Sequence, residues 1–308
     1  MSKYLITIVG PTAIGKTALS IKLANHFKAE VISCDSRQFY REMHIGTAVP
    51  SAEELAFAPH HFIQNKSIFD NYTVGDFEKE ALSKLDNLFQ VNDYAVLVGG
   101  SGLYVNAVLK GFDTFPEIDS EVREEVKQQY NLKGLAYLVQ KLQETDTDYY
   151  HFLLETNPQT LQNPQRLMRF VEVGLGSGKP YSSFLNQEKV KRDFIPVIIG
   201  LEANREELYD RINRRVDIMI ADGLVEEARN LYTNKDLNAL QTVGYRELFY
   251  HFDGKISLEF AIEEIKKNTR RFAKRQMTWF KRTEGIHWFD YKTDSEEIIK
   301  LIRSVACP

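Results

Sequence analysis

The fold of this chain is decided by Gly10-Pro11-Thr12-Ala13-Ile14-Gly15-Lys16-Thr17, which has the phosphate-loop pattern G-x-x-x-x-G-K-[ST]. The apolar run 4–9 precedes it and a helical run from Thr17 to about Phe27 follows it, so the motif has the strand-loop-helix context that it requires. Backbone N–H groups and the helix N-terminus would bind a phosphate chain, with Lys16 adding positive charge and Thr17 a hydroxyl for Mg²⁺. The loop alone does not say which molecule carries the phosphates.

Composition limits the class of protein. The chain has 308 residues, 43% of them hydrophobic and 27% charged, which is typical of a globular protein with a substantial core. Its net charge of −4 means that any nucleic-acid surface must be a local patch. The two cysteines, Cys34 and Cys307, rule out a disulfide framework. With no room for a signal peptide before the first strand and no long apolar run, we expect a cytoplasmic protein without a membrane segment.

Further buried strands are predicted at 30–33, 94–98, 194–201 and 286–289, with amphipathic helical stretches between them. Alternation of this kind predicts an α/β fold of the P-loop nucleoside-triphosphatase type, a parallel sheet with helices on both faces. The stretch 112–192 shows no strand pattern and is predicted to be a helical insertion domain, leaning over the site, between the core segments 1–111 and 193–308. An ordinary elaboration of the core is the alternative.

The acid that usually ends a second strand in P-loop ATPases and GTPases is missing. The best candidate strand, 94–98, ends in Gly99-Gly100-Ser101-Gly102, and no guanine-reading N-K-x-D pattern is present. Asp35 is the remaining acid at a strand tip, on a strand that we expect beside the first one. It could act as a general base, or it could cap a helix starting near Ser36; spacing alone favours neither.

Two further segments have open interpretations. Ser101 could donate to a phosphate oxygen, although a tight turn would use the same residues. Arg211 and Arg215 lie one helical turn apart, with Met219 on the same face. They could clamp a pyrophosphate, but salt bridges to neighbouring acids are the simpler interpretation. The pair His60-His61 is predicted to be structural, because adjacent side chains of an extended chain point to opposite sides.

The segment 262–282 predicts a basic helix. We expect Ile262, Ile265, Phe272 and Trp279 to dock it on the protein, opposite one basic arc. The arc favours binding of a polyanion such as a nucleic acid, because no acid follows Glu264 within it. Its members are Lys267, Arg270, Arg271, Lys274, Arg275, Lys281 and Arg282.

Taken together, these segments resemble the tRNA dimethylallyltransferases, also called tRNA isopentenyltransferases, in their bacterial form. The resemblance runs in order from about residue 7 to 281. Ser101 stands where the family usually has Thr, which keeps the hydroxyl. The matching segments are 10–17, Asp35-Ser36-Arg37-Gln38-Phe39-Tyr40-Arg41, Ile45-Gly46-Thr47-Ala48, Pro59-His60-His61, Asp76-Phe77, 97–100, Asn163-Pro164-Gln165-Arg166, Gly178-Lys179-Pro180, Arg211 with Arg215 and Met219, Gly223-Leu224, Gly244-Tyr245 and 274–280.

The resemblance implies transfer of a dimethylallyl group from dimethylallyl diphosphate to N6 of an adenosine beside the anticodon. Residues 10–17 and Arg215 would then hold the diphosphate with Mg²⁺ on Thr17, Asp35 would be the base, and Ser101 and Arg215 would assist the leaving group. The partners implied are the tRNA anticodon stem-loop and dimethylallyl diphosphate, on a monomeric enzyme. The residues implied to contact tRNA are Asp35, Ser36, Arg37, Gln38, Ser101, Arg123, Gln165, Arg166, Arg169, Arg246, Arg271, Lys274 and Lys281.

Two rival functions share the phosphate loop. A small-molecule kinase would bind ATP and would not need the basic helix. An isopentenyltransferase acting on free adenine nucleotides would need neither that helix nor the insertion. A non-enzymatic RNA-binding module would leave the phosphate loop without a role.

Overall fold

The computed structural model describes residues 2–113, 115–185 and 191–306. It divides the chain into two compact units, Met1–Lys110 with Lys191–Pro308, and Gly111–Val190.

The strands are β1 (Tyr4–Val9), β2 (Val31–Ser33), β3 (His60–His61), β4 (Tyr94–Gly99), β5 (Ile195–Glu202) and β6 (Ile286–Asp290). The helices of the first unit are α1 (Lys16–Phe27), α2 (Ala52–Phe57), α3 (Val74–Val91), α4 (Gly102–Lys110), α9 (Arg205–Ala221), α10 (Leu224–Leu231), α11 (Tyr245–Phe252), α12 (Leu258–Phe280) and α13 (Ser295–Ala306), and those of the second are α5 (Ser120–Lys133), α6 (Leu135–Thr145), α7 (Thr147–Thr156) and α8 (Pro164–Ser177).

The sheet is parallel throughout, in the order β3-β2-β4-β1-β5-β6. The predicted α/β class is therefore confirmed, and the five predicted strands are present. One expectation was wrong: β2 does not lie beside β1, because β4 pairs with both and separates them. The sequence prediction also missed β3, a two-residue edge strand at His60–His61.

Burial on both faces explains the unbroken apolar run of β1. Ile6 and Ile8 point into a core that includes residues of α1, α9 and α13, while Leu5 and Val9 point into a core with residues of α3 and α4. All six residues of β1 are buried. A central parallel strand covered by helices on both sides has this pattern.

Helices α9 to α12 share a third core in the first unit, built around Tyr245, Leu224, Leu240 and Ile265. The second unit has a core of its own, formed by side chains of α5, α6, α7 and α8 such as Val126, Leu142 and Leu167. Its residues are helical or irregular over the described ranges 111–113 and 115–185, in line with the predicted absence of strands. Within the described residues, no helix is both long and apolar enough to cross a membrane.

The end of β4 approaches β2 very closely at Gly99. A Cβ atom at this position would lie 2.4 Å from Cys34 Sγ and 2.7 Å from the Cys34 carbonyl oxygen, distances that real Cβ atoms do not show. Only glycine therefore allows the two strand ends to meet where the candidate site begins.

Gly99→Ala should destabilise the first unit by about 1–3 kcal/mol, because a backbone atom of Cys34 has to move. Gly75→Ala on α3 is the matched control, since its Cβ would meet only Thr73 Oγ1, at 3.7 Å; it should be neutral or slightly stabilising. Thermal denaturation followed by circular dichroism measures both. Equal melting temperatures for the two variants would contradict the close approach.

Candidate active site

The phosphate loop joins β1 to α1 as predicted. Helix α1 begins at Lys16, directly after Gly15 in the left-handed conformation, so the first free N–H groups of the helix follow the loop. Lys16 Nζ donates to the Pro11 carbonyl at 2.7 Å across the loop. Burial lowers the pKa of Lys16 to about 8, although the Asp35 carboxylate acts in the opposite direction. The loop therefore holds a partly desolvated lysine whose charged form an anion would stabilise.

Asp35 follows β2 at the carboxyl end of the sheet and is close enough to both Lys16 and Arg215 to affect their pKa values. The helix-cap interpretation is wrong, since residues 36–39 form turns and not a helix. Its Oδ1 accepts instead from the Arg37 backbone N–H at 3.1 Å. The carboxylate thus lies near two cations at the carboxyl end of the sheet.

Arg211 and Arg215 both face the phosphate loop from α9. Arg211 Nε donates to the Ala13 carbonyl at 2.8 Å, and its guanidinium lies over the Tyr291 ring. Burial lowers the pKa of Arg215, with the Asp35 carboxylate raising it and Arg211 lowering it further. The salt-bridge interpretation is not supported, because Glu207 pairs with Lys292 and Asp217 with Lys266.

The second glycine-rich turn, Gly99-Gly100-Ser101-Gly102 at the end of β4, lies against the Asp35 segment. Ser101 Oγ accepts from the Ser36 backbone N–H at 3.2 Å and donates to Ser36 Oγ at 3.2 Å. Ser101 therefore contacts the residue that follows Asp35.

Gln276, for which the sequence pattern predicted no role, joins the two glycine-rich turns. Its Oε1 accepts from the Thr12 backbone N–H at 2.9 Å, and its Nε2 donates to the Gly100 carbonyl at 2.9 Å. The side chain is almost fully buried on α12. The sequence did contain a signal for this role, because Gln276 is an uncharged polar residue on the apolar side of an otherwise basic helix.

Two adjoining cavities meet at these residues. The first, of about 860 Å³, is lined by the phosphate loop, the 44–51 segment and α9. The second, of about 510 Å³, is lined by Ser101, Tyr104, Phe272 and Trp279 among others. The residues that line both are Thr12, Asp35, Thr47, Ala48, Arg215, Met219 and Gln276. Asp35 and Arg215 thus stand where a phosphate-binding cavity opens into an aromatic one.

The basic helix is α12, and its buried side contains Ile265, Ala273, Gln276 and Phe280. The docking prediction is confirmed for Trp279, whose ring lies so close to Gly102 at the start of α4 that a Cβ there would be 2.3 Å away. Phe272 and Trp279 are nevertheless 38% and 40% exposed, and both also line the second cavity. Both residues lie at the edge of the buried stripe of α12.

The basic arc is only partly free. Lys267 pairs with Glu264 and Lys281 with Glu202, while Arg270 donates to Asn213. The remaining residues of the arc are all exposed: Arg271, Lys274 and Arg275 lie on α12, and Arg282 follows it. We call the three on the helix the basic stripe.

Other residues predicted to contact tRNA occupy several places. Arg37 donates to the carbonyls of Asn238 and Ala239 at 3.0 Å, and Gln38 to those of Thr47 and Ala48. Arg246 lines the second cavity.

In the second unit, Gln165, Arg166 and Arg169 line a cavity of about 760 Å³ together with aromatic rings that include Tyr149 and Tyr181. Arg123 is exposed on α5 and does not line this cavity. Glu172 on α8 is electrostatically coupled to Arg169 and Arg123, and burial raises its pKa.

His60 and His61 do not converge on a common ligand. His60 Nδ1 lies 2.7 Å from the Ala58 carbonyl, and His61 Nε2 lies 2.5 Å from Glu30. Within the described residues, no group of three or more His, Cys, Asp or Glu could hold a metal ion. Thr17 lines the first cavity beside Lys16, and its hydroxyl has no hydrogen-bond partner among the described residues.

Comparison with known proteins extends this picture. The model of the family described as IPP transferase matches residues 38–283. A tRNA dimethylallyltransferase of Flavobacterium psychrophilum is 68% identical over 301 residues, covering 98% of each chain. One of Christiangramia forsetii is 56% identical over 99% of each.

Among solved structures, the full-length tRNA isopentenylpyrophosphate transferase of Bacillus halodurans is 38% identical, with a TM-score of 0.71 over 99% of this chain and 96% of the other. A eukaryotic dimethylallyltransferase acting on tRNA is 27% identical, with a TM-score of 0.76 over 99% and 80%. Both sequence and structure thus match along nearly the whole chain, which belongs to the IPP transferase family.

Proposed function

We propose that this protein transfers a dimethylallyl group from dimethylallyl diphosphate to N6 of adenosine 37 in a tRNA anticodon stem-loop and releases diphosphate. The observation that carries the proposal is the position of Asp35 and Arg215, which line both the phosphate-loop cavity and the aromatic cavity. A diphosphate ester and a base placed in the two cavities would meet at these residues. The names of the relatives support the same chemistry.

Each side chain has a role in this reaction. The N6 lone pair attacks the allylic carbon, the carbon–oxygen bond breaks, and its electron pair leaves with the diphosphate. Lys16, Arg215 and the N-terminus of α1 stabilise the developing negative charge. Asp35 accepts the N6 proton, so that an otherwise weak amine nucleophile can react.

Magnesium fits the donor atoms of the site, although it would be held mainly by the substrate. Thr17 offers a hydroxyl without a partner among the described residues, and the described part of this unit contains no cluster of acids to enclose a cation. Mg²⁺ typically keeps several waters and binds substrate phosphates. Bound there, it would withdraw charge from the departing diphosphate.

The RNA would bind to positive and aromatic side chains. In the first unit, the basic stripe, Arg246 and Ser36 offer contacts to phosphates and unstacked bases. In the second unit, the cavity lined by Arg166 and Arg169 offers contacts of the same kind. Phe272 and Trp279 offer ring faces on which the extruded adenine could stack. We place this activity in the cytoplasm, because the proposed acceptor is a tRNA, and on a monomer, because the residues assigned to the reaction all belong to one chain.

The base is tested by Asp35→Asn. The Asn amide oxygen can still accept from Arg37 N–H, so the turn is kept while the base is lost. Transfer to an anticodon stem-loop, followed by mass spectrometry of the nucleoside, should fall by about 10²–10⁴-fold, with unchanged stem-loop affinity. Asp222→Asn, in the same cavity, should transfer normally. Near-normal turnover of the Asp35 variant would refute the assignment, and absence of transfer by the unaltered protein would refute the function.

The RNA surface is tested by Arg271→Glu with Lys274→Glu. Because fewer RNA phosphates are then neutralised, stem-loop binding should weaken, and the slope of its salt dependence should fall by about 0.7–0.9 for each such phosphate. Lys300→Glu on α13 carries the same change of sign at another exposed position and should have little effect. Fluorescence anisotropy over a salt series measures both. Identical salt slopes for the two variants would show that the basic stripe does not contact the RNA.

The pKa of Lys16 predicts a pH dependence of diphosphate binding. Below about pH 8 the amine is already protonated, so binding takes up no proton there. Above that pH the bound anion restores the proton, and affinity for dimethylallyl diphosphate should fall as pH rises. The ester loses its own last proton near pH 6 and does not contribute.

Calorimetry at pH 7 and pH 9, in buffers of different ionisation enthalpy, measures this proton uptake. It should approach one proton at pH 9. Lys22→Ala, an exposed lysine on the same helix, should keep the profile, while Lys16→Ala should lose it. Equal uptake at both pH values in the unaltered protein would contradict the depressed pKa.

A further inference from the structure

Three segments that match the family but have no predicted role meet around one carboxylate. They are Ile45-Gly46-Thr47-Ala48, Gly223-Leu224 and Gly244-Tyr245. The first forms a turn in the 44–48 loop, the second begins α10 and the third begins α11. Glu227, one turn into α10, contacts both of the other segments.

The Glu227 carboxylate accepts four hydrogen bonds. Its Oε2 accepts from the backbone N–H groups of His44 at 3.0 Å and Ile45 at 2.7 Å. Its Oε1 accepts from Gly46 N–H at 2.9 Å and from the Tyr245 hydroxyl at 2.6 Å. Three consecutive N–H groups around one anion form a nest, and charge-assisted bonds of this kind are stronger than neutral ones.

Close packing also holds the 44–48 loop against Tyr245. A Cβ on Gly46 would lie 2.6 Å from the Tyr245 ring, so the loop and the ring are in close contact. Tyr245 is fully buried, and burial together with the Glu227 charge raises its pKa, so its hydroxyl remains a donor. Glu226, the neighbour of Glu227, is exposed and approaches only Arg229, at 4.0 Å.

The loop held in this way is a wall of the candidate site. Thr47 and Ala48 line both cavities, and their carbonyls accept from Gln38 Nε2 at 3.1 and 2.9 Å. Gln38 Oε1 in turn accepts from Ser33, at the end of the strand that precedes Asp35. A chain of hydrogen bonds therefore connects Glu227 with the segment that carries the candidate base.

We propose that Glu227 is a positioning residue for prenyl transfer, which fixes the 44–48 loop so that the two cavities and Asp35 keep their relative geometry. This inference rests on the proposed function. Glu227 does not line either cavity, so it acts through the loop. If the 44–48 loop were held less firmly, the reacting groups would be misplaced, and errors of about 1 Å can lower the rate by about 10²-fold.

Glu227→Gln tests the inference because it keeps the shape and replaces one oxygen by an NH₂ group that faces two donors. The readout is the single-turnover rate constant at saturating enzyme and dimethylallyl diphosphate, with an anticodon stem-loop as the acceptor. This rate constant reports on the folded, bound complex and does not depend on the fraction of inactive protein. We expect a fall of about 10–100-fold, with stem-loop affinity within about threefold of the unaltered protein.

Glu226→Gln is the matched control on the same helix and should leave the rate constant unchanged. Tyr245→Phe removes only one of the four donors and should lower the rate constant severalfold, which keeps the test open if Glu227→Gln fails to fold. An unchanged rate constant in folded Glu227→Gln, or in Tyr245→Phe when the former does not fold, overturns the inference. If the unaltered protein itself transfers nothing, the proposed function fails instead.

Discussion

The site depends on one buried amide, that of Gln276. It accepts from the backbone of the phosphate loop and donates to the backbone of the second glycine-rich turn, so helix α12 fixes the distance between them. The side chain at this position must both accept and donate, because the Thr12 N–H requires an acceptor and the Gly100 carbonyl requires a donor. Since Ser101 in the second turn contacts Ser36, the Asp35 segment is held by the same arrangement. The basic stripe lies on this same helix, which therefore belongs to both the proposed RNA surface and the diphosphate site.

Charge explains why these groups can lie so close together. Burial lowers the pKa values of Lys16 and Arg215, which both lie near the Asp35 carboxylate. Arg215 also lies near a second cation, Arg211, and near Glu54. An excess of partly desolvated positive charge is unfavourable in the free protein and favours an anionic ligand. The pyrophosphate part of an allylic ester would supply that anion. As the leaving group gains charge during bond cleavage, its interaction with these cations strengthens, which is the requirement for lowering a barrier.

Local sequence patterns predicted what depends on local chemistry. The phosphate loop, the five longer strands, helix α12 and the shared face of Arg211 and Arg215 follow from spacing and periodicity. Patterns could not show that β4 separates β1 from β2, since strand order depends on which surfaces pack best in three dimensions. They also did not show that Phe272 and Trp279 line a cavity, because an aromatic residue at the edge of an apolar stripe fits a core and a ligand cavity equally well. The roles of Glu227 and Gln276 arise from contacts across about 180 and 264 residues of chain.

The glycines at the end of β4 separate this site from that of a phosphoryl-transfer enzyme. In the latter, an acid at this type of position helps to hold Mg²⁺. Here a side chain is sterically excluded at Gly99, where a Cβ would collide with Cys34, and a Cβ at Gly100 would lie 2.3 Å from Gln276 Nε2, so Gln276 would have to move. A cation beside Thr17 would therefore take most of its ligands from water and from the diphosphate itself. Such an arrangement suits the stabilisation of a departing diphosphate, in which no phosphorus–oxygen bond has to be broken.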